Sequence, residues 1–344
     1  MVVNSKRQNE LKPLGVLLQN DREHFSVRLL SRAGNFTAED IINIAHLSKK
    51  YGQGYVGETT RLQIEIPWIK DEDVEEFLKE AETLGLKHGG TGPKVRPLVS
   101  CKGTICIHGN IDTQSITRKL EDKYFGMKTP HKCKIGVNGC VNNCAKATMS
   151  DIGITGITEP QINRNKCVGC GLCVDVCKPK ALEIINKKVV QNKTLCVSCG
   201  DCVRTCKFEA ITIKEKGAEI FIGGMLGRNI KNGISLGVFK EEEILSVVDS
   251  IIKYYMEFGK DNERISYVMD RIGENRVINT ILKDITKNSW FKKTISNNKM
   301  DNILLSNYIF FNFIKFNITN YWFHITKWYF LISISKYHSI TSFS

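Results

Sequence analysis

The stretch HKCKIGVNGCVNNC, residues 131–144, combines two residue types that point to chemistry. Its cysteines, Cys140 and Cys144, are four residues apart, and thiolates are the ligands that soft metals prefer. Lys132 and Lys134 alternate along an extended segment, so their side chains point to one side and can hold a small anion. The stretch therefore predicts a metal beside a cationic pocket, which favours redox chemistry on an anion.

Thirteen cysteines in a chain of 344 residues extend this pattern. Twelve of them fall into three groups of four, and Cys133 is left over. The groups are Cys101, Cys106, Cys140 and Cys144; Cys167, Cys170, Cys173 and Cys177; and Cys196, Cys199, Cys202 and Cys206. The first residues show no secretory signal pattern, so regular cysteine spacing favours metal binding over disulfides, and we expect a cytoplasmic protein.

The second and third groups have the most specific spacing in the chain. Each has the form C-x2-C-x2-C-x3-C, the pattern of two-cluster bacterial ferredoxins, in which the fourth cysteine of each run ligates the other cluster. The predicted ligands of two [4Fe–4S] clusters are therefore Cys167, Cys170, Cys173 and Cys206 for one, and Cys177, Cys196, Cys199 and Cys202 for the other. Zinc is the alternative. The proline that usually follows the fourth cysteine is displaced to Pro179 in one run and absent from the other.

The first group consists of two pairs that are far apart in sequence. Cys101 and Cys106 form a C-x4-C pair, and Cys140 and Cys144 form the second pair. Two such pairs make one tetrahedral site only if the fold brings them together. A zinc site and four unrelated thiols are the alternatives at this point.

The other residues predict an α+β protein. Residues 14–85 contain, in order, a strand FSVRLL (25–30), a helix capped by Thr37 and Asp40, a strand RLQIEIP (61–67) and a helix capped by Asp71. This order suits a small sheet with helices on one face. Later elements are a loop over 88–100, a helix over 113–125, a strand over 150–157, a strand that runs into the turn GGMLGR (223–228) and a helix over 240–258.

The formal charge of +13 admits nucleic acid as a partner, but the basic residues are spread along the chain and can equally balance anionic cofactors. We therefore expect no nucleic acid. GGMLGR can approach an anion through backbone N–H groups or be a plain tight turn, and it is no dinucleotide fingerprint. From about residue 280 the chain becomes rich in Asn, Ile, Phe and Tyr. Lys315 and Lys327 interrupt it, so no membrane span is predicted.

These features resemble the siroheme-containing sulfite and nitrite reductase family, in particular its compact anaerobic sulfite reductase type with an inserted ferredoxin domain. The resemblance covers roughly residues 14–275. It rests on TTRLQIEIP, the two cysteine pairs, KCK before the second pair, DIGITG after it, and the interrupting ferredoxin pattern. The implied domains are a ferredoxin-like half-domain (1–86), a siroheme and [4Fe–4S] domain (87–160 and 217–279) interrupted by a two-cluster ferredoxin domain (161–216), and an atypical extension (280–344).

The resemblance also implies cofactors and site residues. Siroheme and three [4Fe–4S] clusters are expected, with the third cluster held by Cys101, Cys106, Cys140 and Cys144. Cys144 would bridge that cluster to the siroheme iron. The residues that match substrate-binding positions are Arg28, Arg96, Lys132 and Lys134, and Arg61 matches a residue that contacts siroheme carboxylates. For each of these cations a solvated surface role is the alternative. The C-x4-C spacing departs from the C-x5-C of larger family members.

The implied activity is the six-electron reduction of sulfite to sulfide, with electrons passing through the clusters to siroheme. Nitrite reduction is an alternative within the family, and a multi-cluster electron carrier without catalysis is an alternative from another class. A separate electron donor is expected, either a ferredoxin or a flavin- or NADH-linked subunit. Larger members have two related halves where this chain has one, so two copies can pair as a homo-oligomer.

Overall fold

The computed structural model describes residues 4–287, so the predicted extension lies outside the described residues from 288 onward. The first part of the chain forms a four-stranded antiparallel sheet in the order β1-β2-β4-β3. Its elements are α1 (Ser5–Leu11), β1 (Val16–Leu18), β2 (His24–Leu29), α2 (Ala38–Tyr51), β3 (Gly57–Glu58), β4 (Ile64–Lys70) and α3 (Val74–Thr83). The α+β fold predicted for this part is confirmed.

Strand β2 shows why this sheet has a dry face and a polar face. Phe25, Val27 and Leu29 are fully buried, and they share one core with residues of both α2 and α3. Because side chains alternate along a strand, Arg28 lies on the opposite face. The helices therefore cover one side of the sheet, and the other side carries a charged residue.

Two local expectations in this part have different outcomes. Thr37 and Asp40 form the predicted capping box, since the Thr37 hydroxyl accepts from the Asp40 N–H at 3.0 Å and the Asp40 carboxylate accepts from the Thr37 N–H at 2.7 Å. The predicted cap at Asp71 is wrong. Asp71 begins a 3₁₀ turn before α3 and its carboxylate accepts from Arg7 Nε at 2.9 Å. An acidic residue just before an apolar run is typical of a helix N-cap. Here the Asp71 side chain instead pairs with Arg7, which is distant in sequence.

The second part of the chain is built on a five-stranded sheet. The elements are β5 (Val99–Ser100), α4 (Thr113–Tyr124), β6 (Ile135–Asn138), β7 (Ile152–Ile162), α5 (Leu172–Asp175), β8 (Leu182–Ile185), β9 (Lys188–Gln191), α6 (Asp201–Thr205), β10 (Ile211–Ile222), β11 (Ile234–Phe239), α7 (Ile244–Phe258), α8 (Ile265–Ile272) and α9 (Glu274–Lys287). The sheet order is β11-β10-β7-β6-β5. Strands β5, β6 and β7 are parallel, whereas β7, β10 and β11 are antiparallel.

The cysteine-rich insert sits at the open end of the hairpin that β7 and β10 form. These strands pair from Ile152 opposite Ile222 to Ile162 opposite Ile211. The Asn163 N–H then donates to the Ala210 carbonyl at 2.8 Å, which closes the neck of the insert. Between these residues lie α5, α6 and the two-stranded sheet β8-β9. The insert thus begins and ends on neighbouring strands of the larger sheet.

Several boundaries differ from the sequence prediction: the strand predicted over 61–67 spans Ile64–Lys70, and the strand predicted over 150–157 spans Ile152–Ile162. The region 88–100, predicted as a loop, ends in the two-residue strand β5, which is too short to have a periodicity of its own. Helix α7 begins at Ile244, after a 3₁₀ turn over Glu241–Glu243. Among the helices of residues 4–287, none has both the length and the apolar character needed to cross a membrane.

Candidate functional site

The Lys132–Lys134 segment runs beside residues 94–96 and continues into β6. The Cys133 N–H donates to the Lys94 carbonyl at 3.1 Å, and the Arg96 N–H donates to the Cys133 carbonyl at 2.8 Å. Cys133 is fully buried, as strand alternation predicts, whereas Lys132 and Lys134 are partly exposed. The segment therefore presents two ammonium groups away from the core.

A buried ion pair holds this segment from behind. Arg264 donates from Nε and Nη2 to the two carboxylate oxygens of Asp151, at 3.0 and 2.8 Å. The same carboxylate accepts from the Lys134 N–H at 2.9 Å. Both side chains are almost completely buried, so the pair fixes the backbone of Lys134 in a medium where such contacts are strong.

Sequence reasoning missed Asp151 and Arg264. Asp151 opens DIGITG, so its motif was noticed but no role was given to the carboxylate. Arg264 lies 113 residues further along the chain, and no local pattern marks it. Only the tertiary fold brings α8 against the start of β7.

Arg61 and Arg96 lie next to the lysines, and each has an unsatisfied guanidinium atom. Arg61 donates to the Pro97 carbonyl, and Arg96 donates from Nη1 to the Gly90 carbonyl at 2.9 Å. The Nε atoms of both arginines are buried and have no hydrogen-bond partner. A buried cationic donor without an acceptor is costly, so both atoms are free to donate to an anionic group placed beside them.

Arg28 is placed differently from the other predicted anion ligands. Its Nε and Nη2 both donate to Glu65 Oε1, at 2.9 and 2.6 Å, across the β2–β4 pairing. Burial lowers the pKa of Arg96, and the nearby charge of Arg28 lowers it further. Arg28 therefore belongs to the same electrostatic neighbourhood, but a carboxylate already compensates its charge.

The pKa values of the lysines report the crowding of positive charge. Burial, followed by the charges of Arg61 and Arg264, lowers the pKa of Lys134 to about 8. Burial and then Arg264 and Arg96 also lower the pKa of Lys132. A bound anion would relieve this repulsion, because it favours the protonated form of each amine.

The turn GGMLGR lies against the same lysines. Lys134 Nζ donates to the Leu226 carbonyl at 3.3 Å, and the charge of Arg228 contributes to the lowered pKa of Lys132. Gly224 packs on residues 148–150, where a Cβ atom would come within 2.4 Å of the Ser150 carbonyl oxygen. A glycine is therefore required to bring this turn close. Toward Lys134 the turn offers a carbonyl rather than an N–H group.

The cationic residues gather where β5 and β6 begin, and we call Arg61, Arg96, Lys132 and Lys134 the cationic group. Cysteines occupy the opposite ends of these parallel strands. Cys101 follows β5 directly and Cys140 lies just beyond β6. Lys134 directly precedes β6 and Asn138 ends it, so the two residues are about 13 Å apart at about 3.3 Å per residue. The structure therefore does not bring the two predicted halves of the site together at one end of these strands within this chain.

The four cysteines beyond the strands form what we call the sheet cysteine site. Cys101 Sγ accepts from the Gly139 N–H at 3.0 Å. Burial raises the pKa of Cys140, and the charges of Cys101, Cys144 and Cys106 raise it further. All four sulfurs therefore share one electrostatic neighbourhood. The two loops touch at Gly103 and Gly139, where a Cβ atom on Gly103 would lie 2.6 Å from Gly139 Cα.

The insert brings its cysteines together in the crossed arrangement. Cys167, Cys170, Cys173 and Cys206 line one cavity with Val168, Leu172, Phe208 and other apolar residues, and we call this the first insert site. Burial raises the pKa of Cys202 to about 12, with further contributions from Cys199, Cys196 and Cys177. These four residues are the second insert site. Each site thus takes one cysteine from the other run of the sequence.

A site for a single metal ion and a site for a four-iron cluster need different spacings between the ligand atoms. Among residues 4–287, no three His, Cys, Asp or Glu side chains converge closely enough to hold one metal ion. A tetrahedral zinc needs sulfurs at about 2.3 Å from the metal. A four-iron cluster is larger, and its ligands are correspondingly further apart. The donor sets consist of four thiols each, which is the chemistry that such a cluster requires.

Comparisons with known proteins agree with this geometry. Residues 91–289 match the family described as "Nitrite and sulphite reductase 4Fe-4S domain", and residues 17–84 match "Nitrite/Sulfite reductase ferredoxin-like half domain". The chain is 34% identical over 277 residues to coenzyme F420-dependent sulfite reductase of Methanocaldococcus jannaschii, covering 79% of this chain and 44% of that protein. It is 31% identical over 180 residues to one of the subunits of the anaerobic sulfite reductase of Salmonella typhimurium, covering 47% and 53%.

A solved structure shows the same fold. The crystal structure of dissimilatory sulfite reductase I superposes with a TM-score of 0.61 at 23% identity, over 75% of this chain and 69% of the other. This likeness concerns the fold alone. The chain spans about half the length of the two curated relatives described above.

Proposed function

Because this chain belongs to the nitrite and sulphite reductase 4Fe-4S domain family, we propose that it is a catalytic subunit that reduces sulfite to sulfide. The reaction takes six electrons, which would pass through three [4Fe–4S] clusters to siroheme. The observation that carries this proposal is the cationic group with its two buried, partnerless guanidinium nitrogens. Such donors fit the oxygens of a small oxyanion and the carboxylates of siroheme.

The residues present fit the proposed cofactors. Arg61, with its buried Nε, would hold a siroheme carboxylate, and Cys144 would supply the thiolate that joins the sheet cysteine site to the siroheme iron. The three sets of four cysteines would hold the clusters. Siroheme, when bound, would supply the one-electron redox chemistry that the reduction of sulfite requires.

The chain's own residues would bind the substrate and supply protons. Arg96 and Lys132 place positive charge near the sulfite oxygens, with Arg28 as a weaker contributor because Glu65 already compensates it. Lys134, with a pKa of about 8, is protonated at neutral pH and can give a proton from Nζ to an oxygen that leaves as water. Asp151 and Arg264 hold the backbone of Lys134 in place without touching the substrate.

We also propose that two copies of the chain pair, so that the cationic group of one copy faces the sheet cysteine site of the other. The separation of these two sets at opposite ends of β5 and β6 supports this arrangement. Electrons would come from a separate donor protein. The family alternative of nitrite reduction uses the same kind of pocket, since nitrite is also a small oxyanion.

The test is an absorption spectrum of the anaerobically purified protein, reconstituted with clusters and siroheme, together with an iron count and a viologen-driven assay. A Soret-type band and a red band with sulfite turnover are expected. Cluster absorption without those bands would make the protein an electron carrier. A higher kcat/KM for nitrite than for sulfite would assign it to nitrite reduction.

A further inference from the structure

The two insert sites differ in what lies next to them. The second insert site contacts the loop that carries Cys106. Asn110 Nδ2 donates to the Cys199 carbonyl at 3.3 Å, and Arg204 Nη1 donates to Asn110 Oδ1 at 3.0 Å. His108 Nδ1 lies 3.4 Å from Asp201 Oδ1. The second insert site is therefore the one adjacent to the sheet cysteine site.

The first insert site has an exposed apolar rim. Cys170 is exposed. Around it, Val168, Leu172 and Phe208 have exposed fractions of 55%, 42% and 48%, although the same residues line the cavity of the site. Large apolar side chains that are half exposed around a redox site are typical of a surface that a partner covers.

Basic residues outnumber acidic ones in the insert, and several lie next to this rim. Residues 161–216 contain eleven lysines and arginines against five aspartates and glutamates. Lys188 Nζ donates to the Cys167 carbonyl at 2.7 Å, and the Lys187 backbone lies against Gly169. Lys207 is exposed beside Phe208, and the nearby Glu209 pairs with Lys166 at 3.3 Å. The surface around the apolar rim is therefore positive.

From these observations we propose that the rim of the first insert site is the docking surface for an acidic electron-transfer protein. The donor loses one electron to the first insert site, and this electron passes to the second insert site and then to the sheet cysteine site. Opposite charges steer the donor to the rim, and the apolar residues exclude water once it is bound. The proposal rests on the cluster content given under the proposed function.

Binding tests this surface directly. The full chain, loaded with its clusters, is titrated with a fluorescently labelled, purified acidic two-cluster ferredoxin, and the Kd is measured by anisotropy at two salt concentrations. The variant Lys187→Glu with Lys207→Glu should weaken binding at least about tenfold at low salt and flatten the salt dependence. Val168→Ser with Phe208→Ser should weaken binding without changing the salt dependence.

The matched control is Lys49→Glu with Lys79→Glu, which makes the same charge change at exposed positions of the half-domain helices. Equal weakening by both charge-reversal pairs would overturn the proposal, since net charge alone would then explain binding. It would also be overturned if the rim variants changed only the self-association of the chain in sedimentation, or only its binding to a DNA duplex.

The readout separates this proposal from the proposed function. Viologen-driven sulfite reduction bypasses the donor, so the Lys187→Glu, Lys207→Glu variant should keep it. If the unaltered protein binds the ferredoxin at the rim but reduces no sulfite, the docking surface stands and the proposed function fails. If it reduces sulfite and the rim variants bind the ferredoxin as well as the parent, the docking surface fails alone.

Discussion

The two ends of the parallel strands β5 and β6 differ in the kind of residue they carry and in how that residue is held. At the start of the strands, cations are crowded together, buried donors lack partners, and a carboxylate is supplied from another element. At the far end, thiols sit on glycine-rich loops that touch through their backbones. One end thus concentrates positive charge, and the other concentrates thiols. The proposed pairing of two copies would bring these unlike ends together.

The largest effect is expected at the cationic end. Lys132→Ala with Lys134→Ala should keep the clusters and siroheme but lower kcat/KM for sulfite by at least about 10³-fold, since each lost charge contact in a desolvated site is worth about 2–4 kcal/mol. Steady-state kinetics with a viologen donor, alongside the absorption spectrum, measure both properties. Turnover that survives in full would make these lysines ordinary surface residues.

Mixing variants tests whether the two ends serve the same site. A doubly tagged heterodimer of the Lys132→Ala, Lys134→Ala chain with a Cys144→Ser chain should recover about half the turnover of the parent dimer, because one of its two shared sites is intact. Each variant homodimer, purified in the same way, is the control. An inactive heterodimer would mean that each chain completes its own site.

The next largest effect is expected on stability, when the buried ion pair between Arg264 and Asp151 is broken. Arg264→Met leaves the Asp151 carboxylate buried without its cation, so the free energy of unfolding should fall by about 3–5 kcal/mol. The matched control is Arg271→Met in α8, the helix that begins directly after Arg264. The ion pair of Arg271 with Glu263 is more exposed and is worth about 0–1 kcal/mol. Urea denaturation followed by circular dichroism gives both values. Equal losses would remove the special role of the buried pair.

The smallest effect is expected in the pH dependence of kcat/KM, which should depend on the charge of Lys134. Lys134 has its pKa lowered to about 8, so its positive charge is present below that pH and is lost as the pH rises through it. Sulfite kcat/KM should therefore fall above about pH 8, and Lys134→Arg, which stays charged, should fall less steeply. The ionisation of sulfite affects both proteins equally and cancels in their ratio. Parallel pH profiles would show that another group controls binding.

Sequence patterns predicted the features that depend on near neighbours. The capping box at Thr37 needs only residues three apart, and the insert cysteines have spacings that a single compact unit satisfies. Features that depend on distant residues escaped prediction. Asp71 looked like a cap because nothing nearby showed that Arg7 would take its carboxylate. Arg264 had no local signal at all, since its partner Asp151 is 113 residues away in sequence and only the tertiary fold brings the two together.

The neck of the insert has a consequence for how the chain folds. Asn163 and Ala210 are joined by a backbone hydrogen bond. The residues between them therefore form a long loop, whose two ends are kept close together by the pairing of β7 with β10. The entropy of closing a loop grows slowly, by about 0.6 kcal/mol for each doubling of its length. An insert of this length, with a buried core of its own, therefore adds little to the entropic cost of forming the larger sheet. Such a hairpin can accept or lose a whole insert while the pairing of its two strands stays the same.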